Sequence, residues 1–257
     1  SDGRVQWLNA LAFQDVNTGV VREVALPRGL RYLYPQFSPD GAMLAFAAEA
    51  EGRLELWVAS RASGEARRLS DLPLNAAFGA PYRWTSDSAA LIVNAIPAGR
   101  GPAPVAAAAA AGPLVQENDG RGAPVRTFQD LLQNPHDEAL FEHYFTAQVL
   151  RIDAASGAAA PIGAPGLYLT VAPSPDGRYL LVTRLKRPFS TAVPASRFPM
   201  EIAVLDMSGR LVHRLVDRPL ADDLPPAFDS VVTGPRSAEW RADAASTLVW
   251  VETQDRG

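Results

Sequence analysis

Apolar runs of strand length recur along the chain, and each is bounded by one of two polar punctuation marks. The first follows an aromatic or apolar residue: Phe37-Ser38-Pro39-Asp40-Gly41, Trp84-Thr85-Ser86-Asp87-Ser88, Pro173-Ser174-Pro175-Asp176-Gly177 and Trp240-Arg241-Ala242-Asp243-Ala244. An aspartate holds the same place in each. Pro presets φ, Asp bonds its own backbone and Gly accepts a positive φ, so these segments predict tight turns between strands. The second mark ends in Gly. It closes Leu11-Ala12-Phe13-Gln14-Asp15 with Asn17-Thr18-Gly19, Leu56-Trp57-Val58-Ala59 with Ala62-Ser63-Gly64, Val149-Leu150-Arg151-Ile152-Asp153 with Ala155-Ser156-Gly157, and Ile202-Ala203-Val204-Leu205-Asp206 with Met207-Ser208-Gly209.

Alternation of the two marks defines a unit of four short antiparallel strands. Such a unit cannot bury both faces by itself and must stack on its neighbours. The predicted fold is therefore all-β, a β-propeller over residues 1–257 with blades at 35–70, 81–162 and 168–216 and half-blades at 7–26 and 238–252. Exposed sheet edges invite association, and the half-blades leave Trp7, Leu11, Phe13, Leu248 and Trp250 in need of cover. Pairing of 240–252 with the strand at 11–15 is expected to close a ring of four blades, at about 90° per blade. The alternative is an open arc.

The middle unit carries an insertion at 98–146. Its first part is rich in Gly, Pro and Ala, from 98–104 through 120–124, and predicts a loop. Its second part predicts helix at about 127–145: Thr127 caps a segment over 128–133, and Pro135 opens another that carries Leu140, Phe141, Tyr144 and Phe145 at helical spacing. Within it, His136-Asp137-Glu138 and His143 raise a metal site, but the two histidines lie seven apart and lack the close pairing of a helical zinc motif. Acids favouring a helix N-terminus explain the same residues.

Net charge is −4 over 257 residues, from 24 Lys and Arg against 28 Asp and Glu, which gives no general attraction for nucleic acid. There is no Cys, so disulfides and thiol chemistry are excluded. No apolar run approaches the roughly 20 residues of a membrane helix, and Ser1-Asp2-Gly3-Arg4 does not open a signal peptide, so no membrane partner is expected. Lys186 is the sole lysine beside abundant Arg and runs of Ala, a usage that suggests a GC-rich bacterial genome; the compartment is open, with a periplasmic or secreted protein favoured over a cytoplasmic one.

One loop carries candidate binding chemistry. Arg184, Lys186, Arg187, Phe189, Arg197 and Phe198 lie on a Pro-stiffened segment, where guanidinium groups suit an acidic ligand because they bind carboxylate bidentately. A solvated loop whose phenylalanines plug the blade edge is the alternative. Catalysis finds no candidate: no Gly-x-Ser-x-Gly elbow occurs, and His136, His143 and His213 have no nucleophile beside them in sequence. Gly99-Arg100-Gly101 and Gly120-Arg121-Gly122 lack the strand and helix that flank a phosphate loop. No cofactor, metal or catalytic residue is nominated.

Several longer segments together resemble the glutamyl endopeptidase-like branch of the prolyl oligopeptidase family. They are Gly112-Pro113 with Gln116-Glu117, Ala123-Pro124-Val125-Arg126-Thr127-Phe128-Gln129-Asp130-Leu131-Leu132, Asn134-Pro135-His136-Asp137-Glu138 and Leu140-Phe141-Glu142. Arg187-Pro188-Phe189-Ser190, Arg197-Phe198-Pro199, Glu239-Trp240-Arg241 and Trp250-Val251-Glu252 extend the likeness over nearly the whole chain. The resemblance implies the propeller of a serine peptidase whose catalytic Ser, Asp and His belong to a C-terminal α/β-hydrolase domain. It implies that domain and peptide substrates as partners, with the propeller gating access and supplying part of the binding wall. A stand-alone periplasmic propeller that binds or scaffolds proteins is the other function the repeats allow, and a ligand-binding domain built on the helical insertion is a third.

Overall fold

Strand length and turn chemistry together set the architecture. The computed structural model describes residues 7–106, 131–222 and 233–253. A two-stranded hairpin, β1 (Ala12–Gln14) and β2 (Val21–Glu23), precedes three four-stranded antiparallel sheets. The first sheet is β3 (Arg31–Phe37), β4 (Met43–Ala50), β5 (Arg53–Ser60) and β6 (Ala66–Ser70). The second is β7 (Tyr82–Trp84), β8 (Ala90–Ala95), β9 (Gln148–Asp153) and β10 (Ala159–Pro161), and helix α1 (Pro135–Phe145) lies between β8 and β9. The third is β11 (Leu167–Pro173), β12 (Tyr179–Leu185), β13 (Met200–Asp206) and β14 (Leu211–Arg218). A second hairpin, β15 (Arg236–Trp240) and β16 (Leu248–Val251), follows. Strands neighbour in chain order within every sheet, which is the blade arrangement of a propeller.

Side chains alternate between the two faces of each sheet, and both faces are apolar. On β4, Ala45 and Ala47 pack toward the second blade, while Leu44, Phe46 and Ala48 pack toward the first hairpin. On β8, Leu91 and Val93 meet the first blade and Ile92 meets the third. On β12, Leu180 and Val182 face the second blade and Leu181 faces Trp240 and Leu248 of the last hairpin. The core is thus a series of sheet-on-sheet layers, and exposure falls mainly on the fourth strands and the two end hairpins.

The predicted turns form by a repeated set of bonds. Asp40 Oδ1 accepts from Ser38 Oγ at 2.6 Å and from the Ala42 amide at 2.9 Å, while the Met43 amide donates to Ser38 Oγ at 2.9 Å. Thr85, Asp87 and Ala89 repeat the pattern, as do Ser174, Asp176 and Arg178. In the fourth copy Arg241 stands where the others have a hydroxyl, and it pairs with Asp243 at 2.6 Å. These turns also join blades: Ser86 Oγ donates to Pro175 O at 2.5 Å, and the Asp176 amide donates to Ala245 O at 3.0 Å. The preceding tryptophans do the same, Trp84 Nε1 donating to Gln36 O at 3.1 Å and Trp240 Nε1 to Ala172 O at 2.9 Å.

The Gly-ended turns reach the preceding blade. Gly157 has φ +77°, and a Cβ there would lie 2.1 Å from the Leu69 carbonyl oxygen on β6. Gly209 has φ +86° and sits as close to Gly163, where a Cβ would come within 2.2 Å of the backbone nitrogen. Glycine is needed at both for backbone conformation and for approach.

Two expectations are corrected. The closed ring does not form, because β1–β2 and β15–β16 are separate two-stranded sheets that pair with nothing in each other. Each hairpin instead covers the blade beside it, leaving an arc with Val20, Val21, Trp250 and Val251 exposed at its two ends. Bending three full blades to the angle of a four-blade ring would open the inter-blade layers just described. The second correction concerns the helix at 128–133: residues 131–133 have no regular structure, and Thr127 with the rest of that segment lies outside the described residues. Asn134 precedes Pro135 and is extended, at φ −160° and ψ 171°, as a residue before proline prefers. Its side chain accepts from the Asp137 amide at 3.0 Å, so the helix starts there.

Gly157→Ala is expected to cost more than about 2 kcal/mol, since the left-handed conformation alone costs an L residue about 1–2 kcal/mol and the Leu69 carbonyl adds a clash. A shift in the urea midpoint measures it; an unshifted midpoint refutes the close approach.

The turn aspartates also make stability pH-dependent. Hydroxyl bonds from Ser38 and Thr85 hold the Asp40 and Asp87 carboxyls below the usual range, and bonds from the Thr18 and Ser156 amides do the same for Asp15 and Asp153. The Ser208 hydroxyl brings Asp206 down to about 2. A depressed folded pKa contributes stability that is complete above the unfolded value near 4 and lost as pH falls through the folded one. The urea midpoint is expected to drop between about pH 4 and 2, and Asp206→Asn to flatten the lower part of that drop. A midpoint constant over this window contradicts the turn geometry.

Candidate functional site

Strand direction reverses at every step, so the faces of the blade stack carry different connections. Turns joining first to second and third to fourth strands emerge on one face, and all the short Asp- and Gly-turns are there. Connections from second to third strands, and from blade to blade, emerge on the other. That face carries both long excursions, the one from β8 to β9 that includes α1 and the one from β12 to β13 at 186–199.

The two excursions dock on each other. Phe141 and Phe145, one helical turn apart on α1, stack with centroids 4.6 Å apart. Phe141 meets Phe189 at 5.2 Å and Phe198 at 5.8 Å, both edge-on, and Phe78 from the connection between the first two blades closes on Phe145 at 4.6 Å. Phe189 and Phe198 are buried, the latter 2% exposed, together with Leu167, Leu185 and Val193. Tyr144 points away and is exposed, with Arg100 over its ring at 5.8 Å. The C-terminal end of α1 is fastened by Asn75, whose Nδ2 donates to Thr146 O at 2.7 Å and Tyr144 O at 3.1 Å.

Arg187 clamps the outside of this contact. Its guanidinium donates to Glu138 at 3.0 Å and Glu142 at 2.9 Å, one turn apart on α1, and lies 4.5 Å from the Phe189 ring. The bond to Glu142, then that to Glu138, holds the guanidinium above its ordinary range. Arg184 Nε donates to Glu201 Oε2 at 2.5 Å, and Lys186 bonds to Asp217. Arg197 ends a short 3-10 turn (Ala195–Arg197), and its carbonyl accepts from the Ala221 amide at 3.0 Å.

The six residues nominated from sequence are therefore split. Phe189 and Phe198 are brought together in the apolar layer beneath α1. Arg184, Lys186 and Arg187 each hold a carboxylate of the chain itself, so an external carboxylate would have to displace one. Among the described residues no group of three or more His, Cys, Asp or Glu is gathered as metal ligands, and His136 and His143 both lie on α1.

Sequence inspection missed a repeated buried carboxylate. Glu201 is 1% exposed between Arg184 and Arg214, the latter at 2.7 Å, and Glu55, 5% exposed, takes Arg53 at 3.2 Å and Arg68 at 3.1 Å. Both lie five residues before the residue that opens the Gly-ended turn, Asp206 and Ser60. That spacing was the available signal.

Fold and site define a β-propeller arc with one face built up by a docked helix. No family model matches the chain. A protein of Oryza sativa subsp. japonica named probable glutamyl endopeptidase, chloroplastic, is 40% identical over 241 residues, which is 90% of this chain and 25% of that protein. Its namesake in Arabidopsis thaliana is 39% identical over 241 residues, with the same shares. The crystal structure of the tricorn protease superposes over 94% of this chain and 17% of its own with a TM-score of 0.53 at 14% identity, a likeness of fold alone. The chain is homologous to a stretch of these proteins named glutamyl endopeptidase, and its described residues form a β-propeller arc. It spans a quarter of the length of these relatives. Both are plant proteins named chloroplastic and lend no support to the expected bacterial, periplasmic or secreted origin. Among the described residues no helix is long and apolar enough to cross a membrane.

Phe198→Ala is expected to cost about 3–5 kcal/mol and to speed amide exchange along α1, because it opens a cavity under the helix. Arg187→Ala is expected to cost less than about 1 kcal/mol, since that clamp is exposed. Equal costs for the two would show that ion pairing, not the aromatic layer, docks the helix.

Proposed function

We propose that the chain is the non-catalytic propeller portion of a serine peptidase of the glutamyl endopeptidase type. In this reading it stands over the active site of an α/β-hydrolase domain in the parent, restricts entry to peptides and forms part of the wall they bind against. The observation that carries it is 40% identity over 90% of the chain to a protein of that name, on a fold of stacked blades. The cationic loop then acts on substrates indirectly. Arg184, Lys186 and Arg187 hold the loop and α1 in place, Phe189 and Phe198 seat them, and Arg197 ties the loop to Ala221 through its backbone.

The test compares the isolated chain with the full-length parent on a peptide bearing a chromogenic leaving group after glutamate. The parent is expected to release the chromophore and the isolated chain to release none. Turnover by the chain that survives removal of contaminating proteases, or an inactive parent, overturns the proposal.

A further inference from the structure

Contacts between blades in this chain have a direction, and the two ends of the arc are left with opposite halves of it. The Gly-ended turns reach back to the outer edge of the blade before, as Gly157 and Gly209 do, and a Cβ on Gly64 would lie 2.6 Å from the Glu23 carbonyl oxygen on β2. Gly19 closes the same turn in the first hairpin at φ +71°, and nothing lies within 4 Å of its Cβ position. Phe37 shows the same deficit on an inner strand. It stands ahead of an Asp-turn where Trp84 and Trp240 stand; those two donate to the inner strand of the preceding blade, whereas Phe37 is 51% exposed.

The last hairpin lacks the blade after it. Turn bonding fixes the equivalent positions: the Ser38 amide donates to Met43 O, Thr85 to Ala90 O, Ser174 to Tyr179 O and Arg241 to Thr247 O. Two residues beyond each acceptor, Ala45, Ile92 and Leu181 are buried against the following blade. Val249 holds that place on β16 and is exposed.

The hairpins are also complementary in kind. β15 and β16, joined by an Asp-turn, are the first half of a blade, and β1 and β2, joined by a Gly-ended turn, are the second half. Whole blades join these halves in one register, with Met43 opposite Ser60, Ala90 opposite Asp153 and Tyr179 opposite Asp206. Asp15 opens its turn as Ser60, Asp153 and Asp206 open theirs, each accepting from the turn glycine. The same register therefore sets Thr247 opposite Asp15, Val249 opposite Phe13 and Trp250 opposite Ala12.

We propose that two copies of this chain associate head to tail, β16 of each pairing with β1 of the other to complete a blade. Val249 of one copy then shares a layer with Phe37 of the partner subunit, as Ala45 does with Trp84 and Leu181 with Trp240 inside a copy. Three whole blades and one shared blade per copy make eight for the pair, inside the usual range of about 4–8 for closed propellers, and no open edge is left between the halves. A third copy would exceed that range. An unlike-edge contact made twice about a two-fold axis closes into a ring. This inference goes beyond the peptidase reading and does not rest on it.

Sedimentation equilibrium of the chain at about 100 µM, which populates any complex with a Kd near 10 µM or tighter, is expected to give twice its mass of 27.5 kDa. A monomer there, or species that grow past the dimer, overturns the ring. Val249→Lys puts a charge into the shared layer and is expected to leave a monomer with the circular dichroism of the unsubstituted chain. A dimer that persists contradicts the pairing. Because the chain has no Cys, cross-linking reads directly which edges meet. Co-expressed Ala12→Cys and Trp250→Cys chains are expected to form a disulfide between copies under mild oxidation, and neither variant to do so alone. Linkage of Trp250→Cys chains to one another would show like edges meeting, and an unlinked mixture would show that β16 and β1 stay apart; either result overturns the proposal.

Discussion

Every blade in this chain is apolar on both faces, and that constraint governs the rest. A sheet with one wet face can stand on a single layer of packing, but Leu44, Phe46 and Ala48 on one side of β4 and Ala45 and Ala47 on the other need a partner each. Stacking is the answer the geometry allows. It follows that Gly157 and Gly209 are fixed by the neighbouring blade rather than by their own hairpins, and that the tryptophans ahead of the Asp-turns spend their indole N–H groups on the preceding blade's backbone. Turn, side-chain alternation and inter-blade bond are therefore one requirement met three ways.

The repeat was legible because its turns have a local mechanism. Ser38, Asp40 and Gly41 specify their conformation within a few residues, and the Thr85 and Ser174 copies do so again, so strand number and order could be read without knowing any long-range contact. Closure was not legible. Whether the first and last hairpins meet depends on the sum of small rotations between blades, to which no residue in either hairpin testifies. The helix start shows the same limit at short range: Thr127 and Asn134 are both acceptable caps, and Pro135 decides by forcing Asn134 into extended geometry.

The candidate residues divide along the same line. A cluster such as Arg184, Lys186 and Arg187 looks like an anion site in sequence because its partners lie elsewhere: Glu138 and Glu142 come from another blade's insertion, and Asp217 from another strand. Composition counts the cations of a segment; only the fold shows which are already spent. Arg83 is the reverse case. A single arginine between Tyr82 and Trp84 reads as the wet position of an alternating strand, and it is the pairing with Ile92 that turns it into a cavity.

A loop that must hold α1 through Phe189 and Phe198 pays for any shift with the aromatic layer, so its charges are best committed to Glu138, Glu142 and Glu201. A strand position is held by its ladder whether or not a ligand is present, and its side chain can stay unpaired without loosening the fold. Arg83 is such a position: Tyr82 and Trp84 fix the backbone on both sides of it, while its own side chain is exposed.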